Sequence, residues 1–336
     1  MYGYGSMAKR IASLSHESGI EVILAGRASA RLIAAARSLN VPWRESGSAD
    51  PEDLDAMLTD VKIVLNTAGP FVRTAAGLMR ACIRNGCHYL DLSNEATTFE
   101  DAWSLDNNAR QAGVTLVPGA GFGTAAAEAL ASHLLARIEE PDGLMIVRSS
   151  SGGIKTEGVS RTMWEILGQP NAGNKGSRRS ARGRRIVGFD LPDGRRTAVP
   201  VALGDAFAVA RTTGIEQVTA YSTTRMNLLL AQLTIPLIRR LARTGWGGPR
   251  SSRRKGRKPR GTDVECTQIW IRATNPRGES VTSYLKGGSG SELAARIAVQ
   301  VIEQLRNRPS PGVVTSGELV GTGNLRTLPG LQIADT

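Results

Sequence analysis

Strand-like and helix-like segments alternate along the first 123 residues of the chain. Short apolar runs at residues 22–27 and 61–66 are rich in β-branched residues and predict buried strands. Between them, residues 29–39 and 51–58 are predicted to be helical, and Asp50 is placed to cap the second helix. This alternation favours an α/β fold with a parallel, doubly wound sheet of the Rossmann type.

The pattern changes beyond residue 123, where an alanine-rich helix is predicted at residues 124–138. Alternating strand-like segments separated by glycine turns follow, and they predict an antiparallel sheet with one solvated face. These segments are 144–149, 185–189, 197–201, 217–222, 266–273 and 280–285. We therefore predict a Rossmann domain over 1–123, a mostly antiparallel α+β domain over 124–290, and a tail that returns to the first domain. That tail, residues 291–336, begins with a helix at 291–306.

A glycine-rich turn stands almost at the start of the chain. Gly3, Gly5 and Ala8 have the spacing G-x-G-x-x-A and immediately precede a predicted helix. In a Rossmann unit the first glycine makes the tight turn, and the second lets the backbone approach a pyrophosphate. The motif predicts dinucleotide binding, although plain strand-to-helix turns share it. Because only Met1 and Tyr2 precede it, we expect the central first strand to be largely missing.

The end of the second predicted strand indicates which dinucleotide is bound. Residues 22–27 end in Gly26 and Arg27, at a position where NAD-binding domains carry an acid that holds the adenosine ribose. An arginine instead offers a planar, charged fork that pairs with a phosphate group. The sequence therefore predicts NADP rather than NAD as the cofactor.

The positive charge of the chain is concentrated in two segments. The formal net charge is +12, yet residues 175–185 hold six basic residues and residues 239–260 hold ten, with no acidic residue in either. We predict basic loops at 174–185 and 245–262 that are either simply solvated or attract a phosphate-bearing substrate, an acidic carrier protein or an anionic membrane. Aromatic residues do not alternate with these charges, so nucleic-acid binding is not expected.

Amino-acid composition gives expectations about membrane spanning, metal binding and cellular location. Hydrophobic residues make up 41% of the chain, and no apolar run reaches the length that spans a bilayer. Three cysteines form neither a disulfide framework nor a zinc pattern, so we expect no metal and a cytoplasmic location. The apolar segment 226–241 is predicted to belong to the core, a substrate pocket or a homodimer contact. An interfacial position on a membrane is the alternative for this segment.

Several motifs together resemble the saccharopine dehydrogenase-like NADP-binding family, which includes actinobacterial trans-acting enoyl reductases. The resemblance covers most of the chain and rests on GYGSMA at 3–8, AGR at 25–27, LNTAGPF at 65–71, HYLDLSNE at 88–95 and VPGAGFG at 117–123. The chain departs from the family at Asn94, where relatives often carry glycine. It also departs after Phe122, where Gly-Thr-Ala replaces the more usual Asp-containing turn.

The resemblance implies a set of cofactor and substrate residues. The turn and the adenosine-phosphate contact are assigned to Gly3, Tyr4, Gly5, Ser6, Met7 and Arg27. The loop beside the nicotinamide ribose is assigned to Asn66, Ala68, Gly69 and Pro70, and the acidic strand end that faces the substrate to Asp91 and Glu95.

Candidates for proton transfer are few. Asp91 and Glu95 follow a strand at the edge where α/β sheets bind ligands, which favours a catalytic role, although a loop tie is the alternative for Asp91. Tyr221 and Arg211, both predicted in the second sheet, are further candidates to face a substrate cleft. Among the histidines, His16 and His133 are expected to be surface or packing residues, and His88 begins the strand that leads to Asp91.

These features predict an NADP-dependent oxidoreductase that transfers a hydride to or from a C=C, C=N or C=O group of a small molecule. Few polar anchors for two carboxylates are evident, so an apolar or carrier-bound substrate is expected. The rival interpretation is a non-catalytic NADP-binding protein or a membrane-associated scaffold protein.

Overall fold

The computed structural model describes residues 1–46, 50–150, 185–191, 194–224, 226–243, 267–326 and 328–335. The chain divides into two compact units. Unit 1 comprises Met1–Ala125 and Ser291–Leu325, and unit 2 comprises Ala126–Gly290 and Arg326–Thr336. Apart from Arg185, the predicted basic loops at 174–185 and 245–262 lie outside the described residues.

The described residues form thirteen strands and twelve helices. The strands are β1 Leu24–Gly26, β2 Trp43–Glu45, β3 Ile63–Asn66, β4 His88–Asp91, β5 Thr115–Val117, β6 Gly143–Ser150, β7 Val187–Leu191, β8 Gly194–Pro200, β9 Gln217–Thr224, β10 Thr267–Thr274, β11 Ser280–Gly287, β12 Gly312–Val313 and β13 Leu331–Asp335. The helices are α1 Ser6–Glu17, α2 Ala30–Leu39, α3 Pro51–Met57, α4 Phe71–Asn85, α5 Ala96–Ser104, α6 Asp106–Gln111, α7 Phe122–Leu135, α8 Gly204–Thr213, α9 Leu228–Arg243, α10 Gly290–Asn307, α11 Ser316–Val320 and α12 Thr322–Arg326.

Unit 1 is built on parallel strands in the order β2-β1 and β3-β4-β5-β12. Tyr2 lies between the two groups, with parallel bridges to Ala25 on one side and Asn66 on the other. Its N–H donates to the Leu65 carbonyl at 2.8 Å, and its own carbonyl accepts from the Thr67 N–H at 2.8 Å. The residue before the glycine turn therefore occupies the central position of the sheet, as a single bridge instead of a full strand.

Local sequence signals explain where the helices of unit 1 begin and end. Ser29 caps α2 by accepting the Leu32 N–H, and Asp50 caps α3 by accepting the Glu52 N–H. Gly86 takes the left-handed conformation that ends α4. The core of the unit is a continuous buried cluster that includes Leu78, Met79, Tyr89 and Leu116.

Unit 2 contains a seven-stranded sheet with the order β13-β11-β10-β6-β9-β8-β7. Its pairs are antiparallel except for β6 with β9, so the predicted α/β fold with a second, mostly antiparallel sheet is confirmed. One local prediction was wrong, since Arg211 lies in α8 rather than in the sheet. Of the tail predicted over 291–336 to return to the first domain, Ser291–Leu325 belongs to unit 1, whereas β13 pairs with β11 in unit 2. The last strand joins unit 2 because β11 offers its edge to residues 331–335 over five register pairs.

Aromatic packing organises one face of the sheet in unit 2. Trp270 stacks on Tyr284 with ring centroids 4.4 Å apart, and Phe189 meets Trp270 edge-on at 6.3 Å. Elsewhere in the unit, Ala231 and Ile235 of α9 are buried in a cluster with Val199. Within the described ranges, no helix combines the length and the apolar character needed to cross a bilayer.

Candidate dinucleotide site

The turn from Gly3 to Ser6 leads from the centre of the parallel sheet into α1. Gly3 has φ near +110°, a conformation that favours glycine. A Cβ at Gly3 would collide with Thr67 Oγ1 and would lie 3.1 Å from the Ala68 nitrogen. The first glycine is therefore required where the turn touches the loop that follows β3.

The second glycine faces open space. Gly5 is the N-cap residue of α1, and among the described atoms an added Cβ would meet nothing within 4 Å. In the first turn of this described helix there is neither a side-chain cap nor an acidic residue, whereas Ala8 is completely buried. Exposed Ser6 and half-buried Met7 complete that turn. Because backbone N–H groups at a helix N-terminus attract anions, this cradle fits the pyrophosphate of a dinucleotide.

Tyr4 connects the turn to the end of β1. A Cβ at Gly26 would lie 3.0 Å from Tyr4 Cε1, so the ring packs beside this glycine. The Tyr4 hydroxyl accepts a hydrogen bond from Ser29 Oγ at 3.1 Å, and Ser29 is also the cap of α2. Arg27 lies between these residues in sequence and is exposed. A cationic side chain is thus presented at the carboxyl end of β1, next to the glycine turn.

Asn66 fixes the loop that follows β3. The side chain is fully buried, and its Nδ2 donates to Thr74 Oγ1 at 3.0 Å and to the Tyr89 hydroxyl at 3.2 Å. Its Oδ1 accepts the Ala68 N–H at 3.0 Å, while Thr74 Oγ1 donates to the Ala68 carbonyl at 2.8 Å. These bonds hold Ala68, and they leave Gly69 exposed and Pro70 half-buried beyond it.

Asp91 continues the same network at the end of β4. Its Oδ2 accepts the Tyr89 hydroxyl at 2.8 Å, and its Oδ1 accepts the N–H groups of Ser93 at 2.9 Å and Gly119 at 2.8 Å. The residue is completely buried, and burial raises the pKa of Asp91 although these hydrogen bonds oppose the rise. This geometry is that of a tie between the loops after β4 and β5, which was the alternative to a catalytic role.

Glu95 makes a second tie between loops. Its Oε1 accepts the Phe71 N–H at 3.3 Å, and its Oε2 accepts the Asn94 N–H at 2.9 Å. The residue has no exposed surface, and burial raises the pKa of Glu95. The first turn of α4 is therefore joined to the loop after β4. The structure brings Asn66, Asp91 and Glu95 to one edge of the sheet, but neither carboxylate reaches the surface.

The other candidate residues lie elsewhere. Tyr221 is 4% exposed and packs in the aromatic cluster of unit 2, where burial raises its pKa, and its catalytic role stays a prediction. His88 Nδ1 accepts the Thr115 N–H at 3.0 Å, and burial lowers the pKa of His88. His16 is exposed on α1, and His133 Nε2 lies 3.1 Å from Asp335 Oδ1 in unit 2. Within the described part of the chain, no cluster of metal-ligating side chains is present.

Three residues that hold the site together were missed from the sequence. Thr74 and Tyr89 bind Asn66, and Thr67 Oγ1 donates to the Tyr2 carbonyl at 3.1 Å. The hydroxyl of Tyr89 lies within an apolar strand, and a buried hydroxyl needs a hydrogen-bond partner. The sequence could therefore have indicated that Tyr89 binds another polar group. The partners themselves come from separate strands and loops.

A parallel sheet with its glycine turn at the central strand, where the strand order reverses, defines a Rossmann-type dinucleotide-binding unit. Residues 1–117 match the family described as saccharopine dehydrogenase NADP binding domain. The predicted resemblance to this family is thereby confirmed over residues 1–117, about a third of the chain.

Individual curated proteins named as enoyl reductases or saccharopine dehydrogenase-like oxidoreductases are similar to this chain over limited segments. The chain is 30% identical over 132 residues to a trans-acting enoyl reductase of Mycobacterium leprae, covering 37% of this chain and 31% of the relative. It is 33% identical over 82 residues to an Arabidopsis thaliana protein named as a mitochondrial saccharopine dehydrogenase-like oxidoreductase, covering 24% of this chain and 18% of the relative. Each match thus spans less than two fifths of the curated relative.

A solved structure extends the likeness of fold to the whole chain. The saccharopine dehydrogenase (L-Glu forming) of Saccharomyces cerevisiae superposes with a TM-score of 0.65, covering 100% of this chain and 98% of that one. Sequence identity is only 12%, so this likeness concerns the fold.

Proposed function

We propose that this protein is an NADP-dependent oxidoreductase that transfers a hydride to or from a C=C, C=N or C=O group of an apolar or carrier-bound small molecule. One observation carries the proposal. The glycine turn, Arg27 and the loop of residues 66–70 follow three adjacent strand positions and meet at the carboxyl edge of one parallel sheet. The match of residues 1–117 and the names of the relatives support the same reaction class.

The residues at this edge suit the separate parts of the cofactor. Gly5 has no side chain, and among the described residues no side chain caps the start of α1. A pyrophosphate therefore has room at this end of the helix. Exposed Arg27 would pair with the adenosine 2′-phosphate. Ala68 and Gly69 would lie beside the nicotinamide ribose. When bound, NADP supplies the hydride acceptor or donor, while the protein supplies orientation and a shaped site.

In this proposal Asp91 and Glu95 act as positioning residues. Each carboxylate receives N–H groups from two different positions, so together they fix the loops after β3, β4 and β5 relative to one another. Asn66 adds the hold on Ala68. Hydride transfer depends steeply on alignment, so loosening these ties would lower kcat more than it raises KM.

Cofactor preference tests the assignment of Arg27. NADPH is expected to bind more tightly than NADH, and Arg27→Ala should cost about 1.5–3 kcal/mol of NADPH affinity because a charge-assisted phosphate contact is lost. NADH affinity should change little. Titration calorimetry with both cofactors measures this.

A second arginine variant serves as the control for that titration. Arg37→Ala removes another exposed arginine, from the last turn of α2, and should leave both affinities unchanged. If the parent protein bound NADPH and NADH equally tightly, Arg27 would not contact the cofactor phosphate, and NADP would not be the preferred cofactor.

The second candidate is an NADP-binding protein without catalytic activity. It is favoured because Asp91 and Glu95, the two carboxylates predicted to be catalytic at this loop edge, are completely buried and do not reach solvent. Turnover separates the candidates. NADPH oxidation with an enoyl thioester, a cyclic imine or a ketone supports the enzyme, whereas tight NADPH binding without oxidation across all three substrate classes supports the rival.

A further inference from the structure

Helix α9 of unit 2 displays a stripe of leucines to solvent. Leu229, Leu233 and Leu237 are 69%, 72% and 64% exposed, and Leu230 and Leu241 are 51% and 47% exposed. Residues 229, 233, 237 and 241 are spaced by four, so they lie on one face of the helix. A contiguous exposed apolar face of this kind marks an interaction surface.

The helix is held to the unit by its other face. Ala231 is completely buried and Ile235 is 7% exposed, and both pack in a cluster with Val199 while Ile186 and Ile238 flank it. The leucine stripe is therefore not the core-facing side of α9, and the fold does not need it to be apolar. Its five leucines require a different explanation.

Cationic side chains accompany the stripe. Residues 228–243 contain no acidic residue, and Arg240 is exposed, whereas Arg239 donates to the Pro200 carbonyl. At the N-terminal end of the helix, Leu228 and Leu229 line a cavity of about 580 Å³ together with Arg195 and Arg196 of β8. Positive side chains thus lie near both ends of the leucine stripe, and Arg195 also forms an exposed ion pair with Asp190 at 3.8 Å.

The distribution of charge favours one kind of binding partner for the leucine stripe over another. A second copy of the chain packed on the same face would bring arginines against arginines, which costs free energy. A lipid surface with acidic headgroups takes the leucines into the headgroup–acyl boundary and pairs the arginines with phosphates. We propose that the leucine stripe of α9, with Arg195, Arg196 and Arg240, docks the protein on an anionic membrane surface. This proposal is independent of the oxidoreductase activity.

Vesicle flotation tests the proposal with the full chain. The parent protein should float with vesicles of equal phosphatidylglycerol and phosphatidylcholine, float much less with phosphatidylcholine alone, and lose binding at high salt because charges are screened. The triple variant Leu229→Ser/Leu233→Ser/Leu237→Ser should bind on the order of a hundredfold more weakly, since three leucines no longer enter the lipid. Arg195→Gln/Arg240→Gln should lose about fivefold per arginine.

Matched controls separate docking from folding. Arg277→Gln removes an exposed arginine of unit 2 that is paired with Glu139 and Glu140, and it should not change vesicle binding. All variants should keep the parent's circular dichroism and melting temperature, because the substituted side chains are exposed.

Two results would overturn the proposal. One is equal flotation of the parent and the triple leucine variant on anionic vesicles. The other is absence of vesicle binding combined with a dimer in sedimentation that the triple variant abolishes, which would identify a second copy as the occupant.

Discussion

The loop edge of unit 1 and the α9 face of unit 2 distribute polar and apolar groups in opposite ways. At the loop edge, Asn66, Asp91 and Glu95 are completely buried and hydrogen-bonded. On α9, leucines that would ordinarily fill a core are more than half exposed at Leu229 and Leu233. Both arrangements depart from the usual rule of apolar residues inside and polar residues outside.

The two departures have different physical consequences. A buried polar network with its hydrogen bonds made fixes one arrangement of loops, because any loosened donor would be left without water. An exposed leucine face adds little to the stability of the isolated protein and gains free energy only when another surface covers it. The first departure therefore positions a site, and the second points to a contact outside the chain.

The largest expected effect comes from breaking the buried network. Asp91→Ala leaves the Tyr89 hydroxyl and the N–H groups of Ser93 and Gly119 without their acceptor, so unfolding should become easier by about 3–5 kcal/mol. Urea denaturation measures this. Leu233→Ala in unit 2 is the contrasting variant and should stay within about 0.5 kcal/mol of the parent. A cost below about 1 kcal/mol for Asp91→Ala would mean that the network does not hold the loops.

A smaller effect distinguishes the two glycines of the turn. Gly3→Ala should cost about 2–3 kcal/mol of stability, because its φ is positive and its Cβ would press on Thr67 and on the backbone of Ala68. Gly5→Ala should cost less than about 1 kcal/mol, since its conformation is ordinary. Its NADPH affinity should nevertheless fall sharply. Thermal unfolding and cofactor titration of both variants provide the measurement, and unimpaired NADPH binding by Gly5→Ala would contradict the assigned cradle.

The smallest effect concerns the dependence of stability on pH, and it has opposite signs in the two units. Burial raises the pKa of Asp91, so the stability linked to its protonation is present below about pH 4 and is lost as pH rises through its folded pKa. The hydrogen bond from Ser283, aided by His133 and Arg137, lowers the pKa of Asp335. Stability linked to Asp335 is therefore present above about pH 4 and is lost as pH falls through its folded pKa.

Asparagine variants isolate these two contributions. Relative to Asp91→Asn, the parent should become less stable as pH rises, and relative to Asp335→Asn it should become less stable as pH falls. Urea unfolding across the acid range measures both differences. Differences of the same sign for the two variants would show that burial does not dominate at Asp91.

Much of the fold could be predicted from the chain because its signals are local. The caps at Ser29 and Asp50, the left-handed Gly86 and the apolar strand runs each act within a few residues. The weaker predictions depended on distant partners. Asp91 could be read as a catalytic acid or as a loop tie, since its hydrogen-bond donors Tyr89, Ser93 and Gly119 include a backbone group nearly thirty residues away.

By itself, the sequence determined the alternation of strands and helices, the glycine turn and the arginine that follows β1, because periodicity and turn chemistry act over short distances. Only the tertiary structure decided that Tyr2 bridges both neighbouring strands and that Asp91 and Glu95 are buried. It also decided which face of α9 is exposed, since an apolar helix carries no mark of which side its unit will cover. The physical reason is common to these cases: burial and hydrogen-bond partners depend on residues that are remote in sequence.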